Sequence, residues 1–258
     1  LNDIDGPISI VHLGARVDTR EKMSRELWTN NVTLTLDLFK AAQEYQLLDR
    51  FIYASSGSVY GNEERDFTER IEGLRPTNAY AATKLALDTY FDAVKPKIKT
   101  YGLRFFNVAG GREGHKGDMS SLIYKGLMKQ SPFYRDGKWR LFKSCRHDIL
   151  DGEQKRDFVA VEDVCKVIDF FLGVDAESGV YNVGSGEARS FNELAKAIDP
   201  TIPIDYVNMP SSLMGQYQYF TKADLTKLRT AGYQEPFLTL EQGIEKTREW
   251  LRKEGKLA

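Results

Sequence analysis

Residues 50–61 read RFIYASSGSVYG, and residues 79–94 read AYAATKLALDTYFDAV. The first opens as a short apolar run, RFIYASS, and breaks into serine and glycine, as a buried strand and its exit loop do. The second is a helix that Thr77 or Asn78 can cap, with Pro76 just outside. Two further strands flank this unit, ISIVHLGA at 8–15 and TYGLRFFNV at 100–108. Between the first two strands lies NNVTLTLDLFKAAQEY at 30–45, with Val32, Leu36, Phe39 and Ala42 on one helical face. An order of strand, helix, strand, helix, strand calls for parallel strands joined by right-handed crossovers. Further on, RDFVAVEDVCKVIDFFL at 156–172 reads as a short strand entering a helix, and SGVYNVGSG at 178–186 as another strand. The remaining tail mixes helices and loops. The expected class is α/β, a doubly wound parallel sheet with a smaller C-terminal substrate-binding domain. In such sheets ligands sit beyond the carboxyl ends of the strands. The loops HLGA, ASSGS and FNVAGG are therefore expected to line one crevice.

Composition narrows the function. The 258 residues are 41% hydrophobic and 28% charged, as in a folded globular chain, with a net charge of −1. That balance supplies no overall basic field for nucleic acid. No apolar run is long enough to span a bilayer, and the first residues lack the pattern of a signal peptide. A cytoplasmic location with no membrane partner is expected. Cys145 and Cys165 are the only cysteines. They form no C-x-x-C motif and read as two reduced thiols, and no metal site is expected.

The chemistry concentrates in YAATK. Tyr80 and Lys84 are four apart, so a helix puts them on one face. Upstream, the strand-end loop offers Ser55, Ser56 and Ser58. A phenol has a reference pKa near 10 and is a poor base at neutral pH, but a neighbouring ammonium favours its ionised form. Lowering the phenol by ~3 units takes ~4 kcal/mol of differential stabilisation. A serine hydroxyl can bond the substrate oxygen whose proton Tyr80 removes. A second stretch, AGGREGHKGDMSS at 109–121, carries Gly111, Gly114 and Gly117 in a G-x-x-G-x-x-G pattern. A phosphate cradle is not expected there. It follows Tyr80 instead of opening the fold, and Arg112, Glu113, His115 and Lys116 crowd the spaces where small residues favour close approach to a pyrophosphate.

Taken together, these residues resemble the extended short-chain dehydrogenase/reductase family of nucleotide-sugar epimerases and dehydratases. HLGA, NNVTLTLDLFKAA, YASSGSVYG, YAATK, RFFNVAGG and RDFVAVEDV stand in that family's order over roughly residues 10 to 185. REGHKGDMSS and MPSSLMGQYQYFTKADLTKLRTAGY are similar to the family's heptose 6-epimerases. The resemblance implies a Rossmann-like fold and epimerisation of an ADP-linked heptose at C6, through transient oxidation with a bound NADP or, alternatively, NAD. It implies that Ser56, Tyr80 and Lys84 are catalytic, with Lys84 and the oxidised nicotinamide together lowering the Tyr80 phenol, and that Lys116 is a second acid/base group. Leu13, Gly14, Ala15, Asn31, Tyr80, Lys84 and Val108 are implied to contact the cofactor. Asn31 has a second possible role, bonding backbone to order the catalytic loop. Asn107, Asp118, Lys125, Phe142, Arg156 and Tyr217 are implied to contact the substrate, with Arg156 on the diphosphate.

Asp118 stands where a serine is usual and Lys125 where a histidine is usual, so Lys125 is expected to pair with Asp118. A dehydratase would usually carry Asp-Glu where Gly57 and Ser58 stand. Another nucleotide-sugar enzyme, or a cofactor-free scaffold of the same fold, is the alternative. The family pattern places a Gly-rich turn and two strands ahead of HLGA, where about ten residues precede it here. The chain is therefore expected to be a fragment or to lack its N-terminal segment. A homo-oligomer is implied. The expected division is a partial nucleotide-binding domain over 1–107 with 155–185, and a substrate-binding domain over 108–154 and 186–258.

Overall fold

The computed structural model describes residues 6–44, 48–65 and 67–257. In chain order the elements are β1 (Ile8–His12), α1 (Arg25–Trp28), a π-helical turn (Thr29–Thr33), α2 (Leu34–Glu44), β2 (Leu48–Ser56), α3 (Ala79–Val94), β3 (Lys99–Phe105), β4 (Asn107–Ala109), α4 (Leu122–Leu127), β5 (Tyr134–Arg135), β6 (Lys138–Phe142), β7 (Lys155–Ala160), α5 (Val161–Gly173), β8 (Gly179–Val183), β9 (Ala188–Ser190), α6 (Phe191–Ile198), β10 (Ile204–Val207), α7 (Ser211–Met214), α8 (Thr226–Thr230) and α9 (Leu240–Lys253). Tyr45, the last residue of the expected second helix, lies outside the described residues.

The main sheet has the order β1-β2-β3-β8, and every pair in it is parallel. Its carboxyl ends therefore share one edge. Helices cover both faces, which is the doubly wound arrangement. On one face Phe39 of α2 and Phe91 of α3 pack edge-on, with ring centroids 5.0 Å apart, over Phe51 and Tyr53 of β2. On the other, Val164, Val167 and Phe171 of α5 cover Ile52, Tyr101, Leu103 and Tyr181. Covering both faces explains why β2 is an almost unbroken apolar run rather than an alternating one. Each fully buried Leu or Phe of this kind contributes roughly 1.5–3 kcal/mol of transfer free energy.

TYGLRFFNV is not one strand. Phe106 turns inward, its backbone N–H bonded to the Val183 carbonyl at 3.0 Å, and splits the run into β3 and β4. β4 leaves the main sheet and pairs with β7, which pairs in turn with β9. In the segment DMSSLIYKGLMKQ only Leu122–Leu127 is α-helical. Asp118 and Met119 belong to a 3-10 turn over Gly114–Met119, and Ser121 caps α4. A third sheet, β10-β6-β5, packs with α4, α6 and α9 around Trp139, Leu194, Ile244 and Leu251. No described helix is long and apolar enough to cross a membrane. Both cysteines are free thiols.

Candidate active site

Helix α3 starts where Asn78, in extended conformation, accepts the Ala81 N–H at 2.9 Å. That start sets the phase of the helix and puts Tyr80 and Lys84 one turn apart on one face. Lys84 is 2% exposed, and its Nζ donates to the Ala54 carbonyl at 2.9 Å, lying 5.8 Å from the Tyr80 ring centroid. Ser56 closes β2 and caps the 3-10 turn Gly57–Tyr60. Its Oγ accepts the Ser58 N–H at 3.2 Å and the Ser58 hydroxyl at 2.9 Å. With those acceptor positions taken, the proton of Ser56 is what remains to be given.

The electrostatics differ from the expectation. Burial pushes the Tyr80 phenol above its ordinary value of 10, with the Ser56 hydroxyl opposing that rise. Burial lowers the Lys84 ammonium to about 8, with Asp88 opposing. The ammonium gives its hydrogen bond to the Ala54 carbonyl and not to the phenol, and in the chain alone burial prevails at Tyr80. In the protein alone the phenol is neutral at physiological pH. His12, at the end of β1, is pushed below 6.5 by burial and then by Lys84.

Asn31 bears on the two roles expected of it. It sits in the π-helical turn and is fully buried. Its Oδ1 accepts the Arg16 N–H at 2.8 Å, and its Nδ2 donates to the Arg16 carbonyl and to Thr83 Oγ1, both at 3.0 Å. Both hydrogens of that amide and one lone pair of its oxygen are used within the chain. Asn31 pins the loop after β1 to the helix that carries Lys84, so the backbone-ordering reading is the one the geometry supports. Leu13, Gly14 and Ala15 lie between the strand end and this anchor, with Leu13 and Gly14 exposed.

The glycine-rich stretch is a packed, clamped loop. A Cβ on Gly111 would come within 2.3 Å of the Trp250 ring of α9, and one on Gly114 within 2.9 Å of the Tyr124 hydroxyl. Those glycines answer to close packing and not to a phosphate. Glu113, missed in the sequence, is 3% exposed and holds the loop together. Its carboxylate accepts Gly110 N–H at 2.8 Å and both the N–H and the hydroxyl of Ser121 at 2.7 Å. It also stands 3.6 Å from Lys116 Nζ, whose side chain is 38% exposed. Lys125 is buried and donates to the Asp118 carbonyl at 2.6 Å. The expected charge pair is therefore not formed. The Asp118 carboxylate instead faces Arg20 at 3.5 Å, across the loop from β1.

Phe142, Arg156 and Tyr217 come together around a cavity of about 350 Å³, with Arg140, Leu122 and Phe191 also in its wall. Arg156 is 8% exposed, and its guanidinium lies 5.0 Å from the Tyr217 ring centroid. Its only hydrogen bond among the described residues is from Nη1 to the Lys155 carbonyl, 2.9 Å away, and it makes no ion pair there. A buried cation without an acid partner is costly, so its placement suits an anionic ligand. Asn107 opens β4 on the exposed side and Val108 follows, half-buried. Among the described residues no group of three His, Cys, Asp or Glu side chains is arranged to hold a metal.

Comparison with known proteins bears on the fold and the family. An ADP-L-glycero-D-manno-heptose-6-epimerase from Helicobacter pylori is 28% identical, with a TM-score of 0.78 over 95% of this chain and 72% of that one. A UDP-glucose 4-epimerase from Thermotoga maritima is 24% identical, with a TM-score of 0.76 over 95% of this chain and 77% of that one. A UDP-glucuronic acid 4-epimerase from Bacillus cereus, in complex with UDP-glucuronic acid and NAD, is 21% identical, with a TM-score of 0.74 over 95% and 75%. The latter two share the fold. The profile of the NAD dependent epimerase/dehydratase family matches residues 1–184, and with Tyr80, Lys84 and Ser56 gathered at the carboxyl edge of the sheet within that span, the chain belongs to this family.

Proposed function

We propose that this chain epimerises a nucleoside-diphosphate sugar and that the sugar is an ADP-linked heptose inverted at C6. The observation that carries the reading is the cluster of Ser56, Tyr80 and Lys84 on adjoining ends of β2 and α3. The heptose rests on the resemblance of REGHKGDMSS and on the H. pylori neighbour, which is named for that sugar. The family is NAD dependent, and the donor set fits a nicotinamide nucleotide: a phenol, a buried ammonium and an exposed loop at the end of a parallel strand. When bound, that group takes a hydride from the sugar and returns it. NADP instead of NAD is part of the proposal.

The chain's own residues supply the rest. Tyr80 takes the proton of a sugar hydroxyl whose oxygen Ser56 holds by hydrogen bond. Lys84 contributes positive charge beside the phenol. Lys116 stands as a second proton donor and acceptor, because inversion at one carbon requires proton transfer on both faces. Arg156 receives the diphosphate and the cavity by Phe142 and Tyr217 the nucleoside. Asn107, Asp118 and Lys125 border the sugar, Lys125 by fixing the loop. The chain divides into nucleotide-binding residues 1–107 with 155–185 and substrate-binding residues 108–154 with 186–258.

The test is a panel of nucleotide sugars given to the cofactor-loaded protein and followed by proton NMR. ADP-D-glycero-D-manno-heptose is expected to give the C6 epimer, with the same final ratio reached from either epimer. Turnover of UDP-hexoses alone would overturn the sugar assignment, and a dehydrated keto product would overturn epimerisation.

A further inference from the structure

We infer that Asp88 is a positioning residue for the Tyr80–Lys84 pair, fixing the strand segment that receives Lys84 and setting negative charge one helical turn behind its ammonium. This inference rests on the proposed roles of Tyr80 and Lys84.

Asp88 lies one helical turn beyond Lys84 on α3 and is fully buried behind the site. Its Oδ1 accepts the Tyr53 hydroxyl at 3.1 Å. Its Oδ2 accepts the Ser55 hydroxyl at 2.9 Å and Arg104 Nε at 2.8 Å. Tyr53 and Ser55 flank Ala54, whose carbonyl takes Lys84 Nζ, and Ser56 is the next residue. One carboxylate thus ties β2 to α3 on both sides of the carbonyl that seats the lysine. β1 ends at the register of Tyr53, so Ala54 is the first residue of β2 beyond that edge. The neighbouring strand is built to allow the tie. A Cβ on Gly102 would lie 2.3 Å from the Tyr53 hydroxyl oxygen, so only glycine leaves room for Tyr53 to reach Asp88.

Packing does not require charges here. A buried ion pair is often replaceable by apolar groups without loss of stability, whereas breaking one is costly. Asp88 and Arg104 are both fully buried, and Arg104 continues the network to the Tyr60 hydroxyl at 3.1 Å and through it to Asn182 at 2.7 Å. Burial raises the Asp88 carboxyl above its ordinary value, and Arg104 with the Ser55 and Tyr53 hydroxyls opposes that rise and favours the ionised form. The titratable groups near Lys84 include His12 of β1 and Tyr80 and Asp88 of α3, with Arg104 of β3 paired to Asp88. Of these, Asp88 is the one that favours the charged lysine, and it opposes the burial that brings Lys84 to about 8.

The sign follows directly. Removing the carboxylate charge leaves burial unopposed, so Lys84 loses its proton at lower pH, and activity that needs the ammonium falls off earlier as pH rises. Asp88→Asn is expected to move the alkaline limb of the kcat profile down by about one pH unit, with KM changed less than kcat. Because Asp88→Asn strands Arg104, the double variant Asp88→Asn/Arg104→Gln accompanies it, keeping hydrogen-bonding groups without either charge. A purely structural role would restore the wild-type limb in the double variant, whereas the inference keeps it shifted. Lys84 is also titrated directly by NMR of lysine-labelled protein without substrate, its signal assigned by loss in Lys84→Met. A downward shift of that titration in the double variant supports the assignment, and an unmoved titration, or a moved one with an unmoved rate limb, overturns it. Full activity in Lys84→Met would instead sink the catalytic reading of Lys84 on which this one stands.

Discussion

Tyr80→Phe is expected to lower kcat for epimerisation by about 10²–10⁴-fold while changing KM little, the range for removal of a positioned proton-transfer group. The substitution keeps the ring and deletes one oxygen. The ring continues to pack near Lys84, whose own hydrogen bond runs to the Ala54 carbonyl and not to the phenol. Ser56 keeps both of its contacts with Ser58. The variant should therefore melt within a degree or two of the parent, and the kinetic loss can be read as chemistry. Steady-state rates from each epimer, with the melting temperature measured in parallel, check this. A kcat within about threefold of the parent would remove Tyr80 from the reaction.

Lys116→Ala is expected to cost about 10²-fold or more in kcat from either epimer. The loop should survive the change. Glu113 binds Gly110 and Ser121 independently of Lys116, and Lys125 secures Asp118 from the other side. On the proposed account the lost group is an ammonium that exchanges a proton, and its 3.6 Å ion pair with Glu113 is one tie among several in the loop. Lys116→Arg is expected to rescue poorly, since a guanidinium stays protonated and cannot serve as a base. Parent-like turnover in Lys116→Ala would leave the second face of the sugar to another group and end the two-base account.

Much of the fold lay in local pattern. The α3 start was readable because Asn78 and Pro76 are local signals, and the four-residue spacing of Tyr80 and Lys84 survives any packing. The parallel order of β1, β2 and β3 followed from alternation of strand and helix. What escaped depends on partners distant in sequence. Phe106 reads as one more apolar strand residue, and only the carbonyl of Val183 shows that the chain breaks there. β6 and β10 pair across some sixty residues, so neither announces the other. Asn31 and Lys125 carry chemistry that suits a ligand, yet Asn31 bonds the Arg16 backbone and Thr83, and Lys125 the Asp118 carbonyl, partners that no short motif specifies. Glu113 and Asp88 look like ordinary polar residues of a loop and a helix until their buried donors are seen. The phenol needs the same correction: spacing places an ammonium near it, and only coordinates show the burial that raises it in the chain alone.

That correction points to the decisive measurement. If Tyr80 is the base, positive charge beyond Lys84 must bring its phenol down when the site is loaded. The Tyr80 ring-carbon NMR signal of tyrosine-labelled protein, assigned by its loss in Tyr80→Phe, is titrated with and without oxidised nicotinamide cofactor. The account predicts a titration above 10 in the protein alone and one lowered by at least about one unit when loaded. A phenol that titrates at the same pH in both states would contradict it.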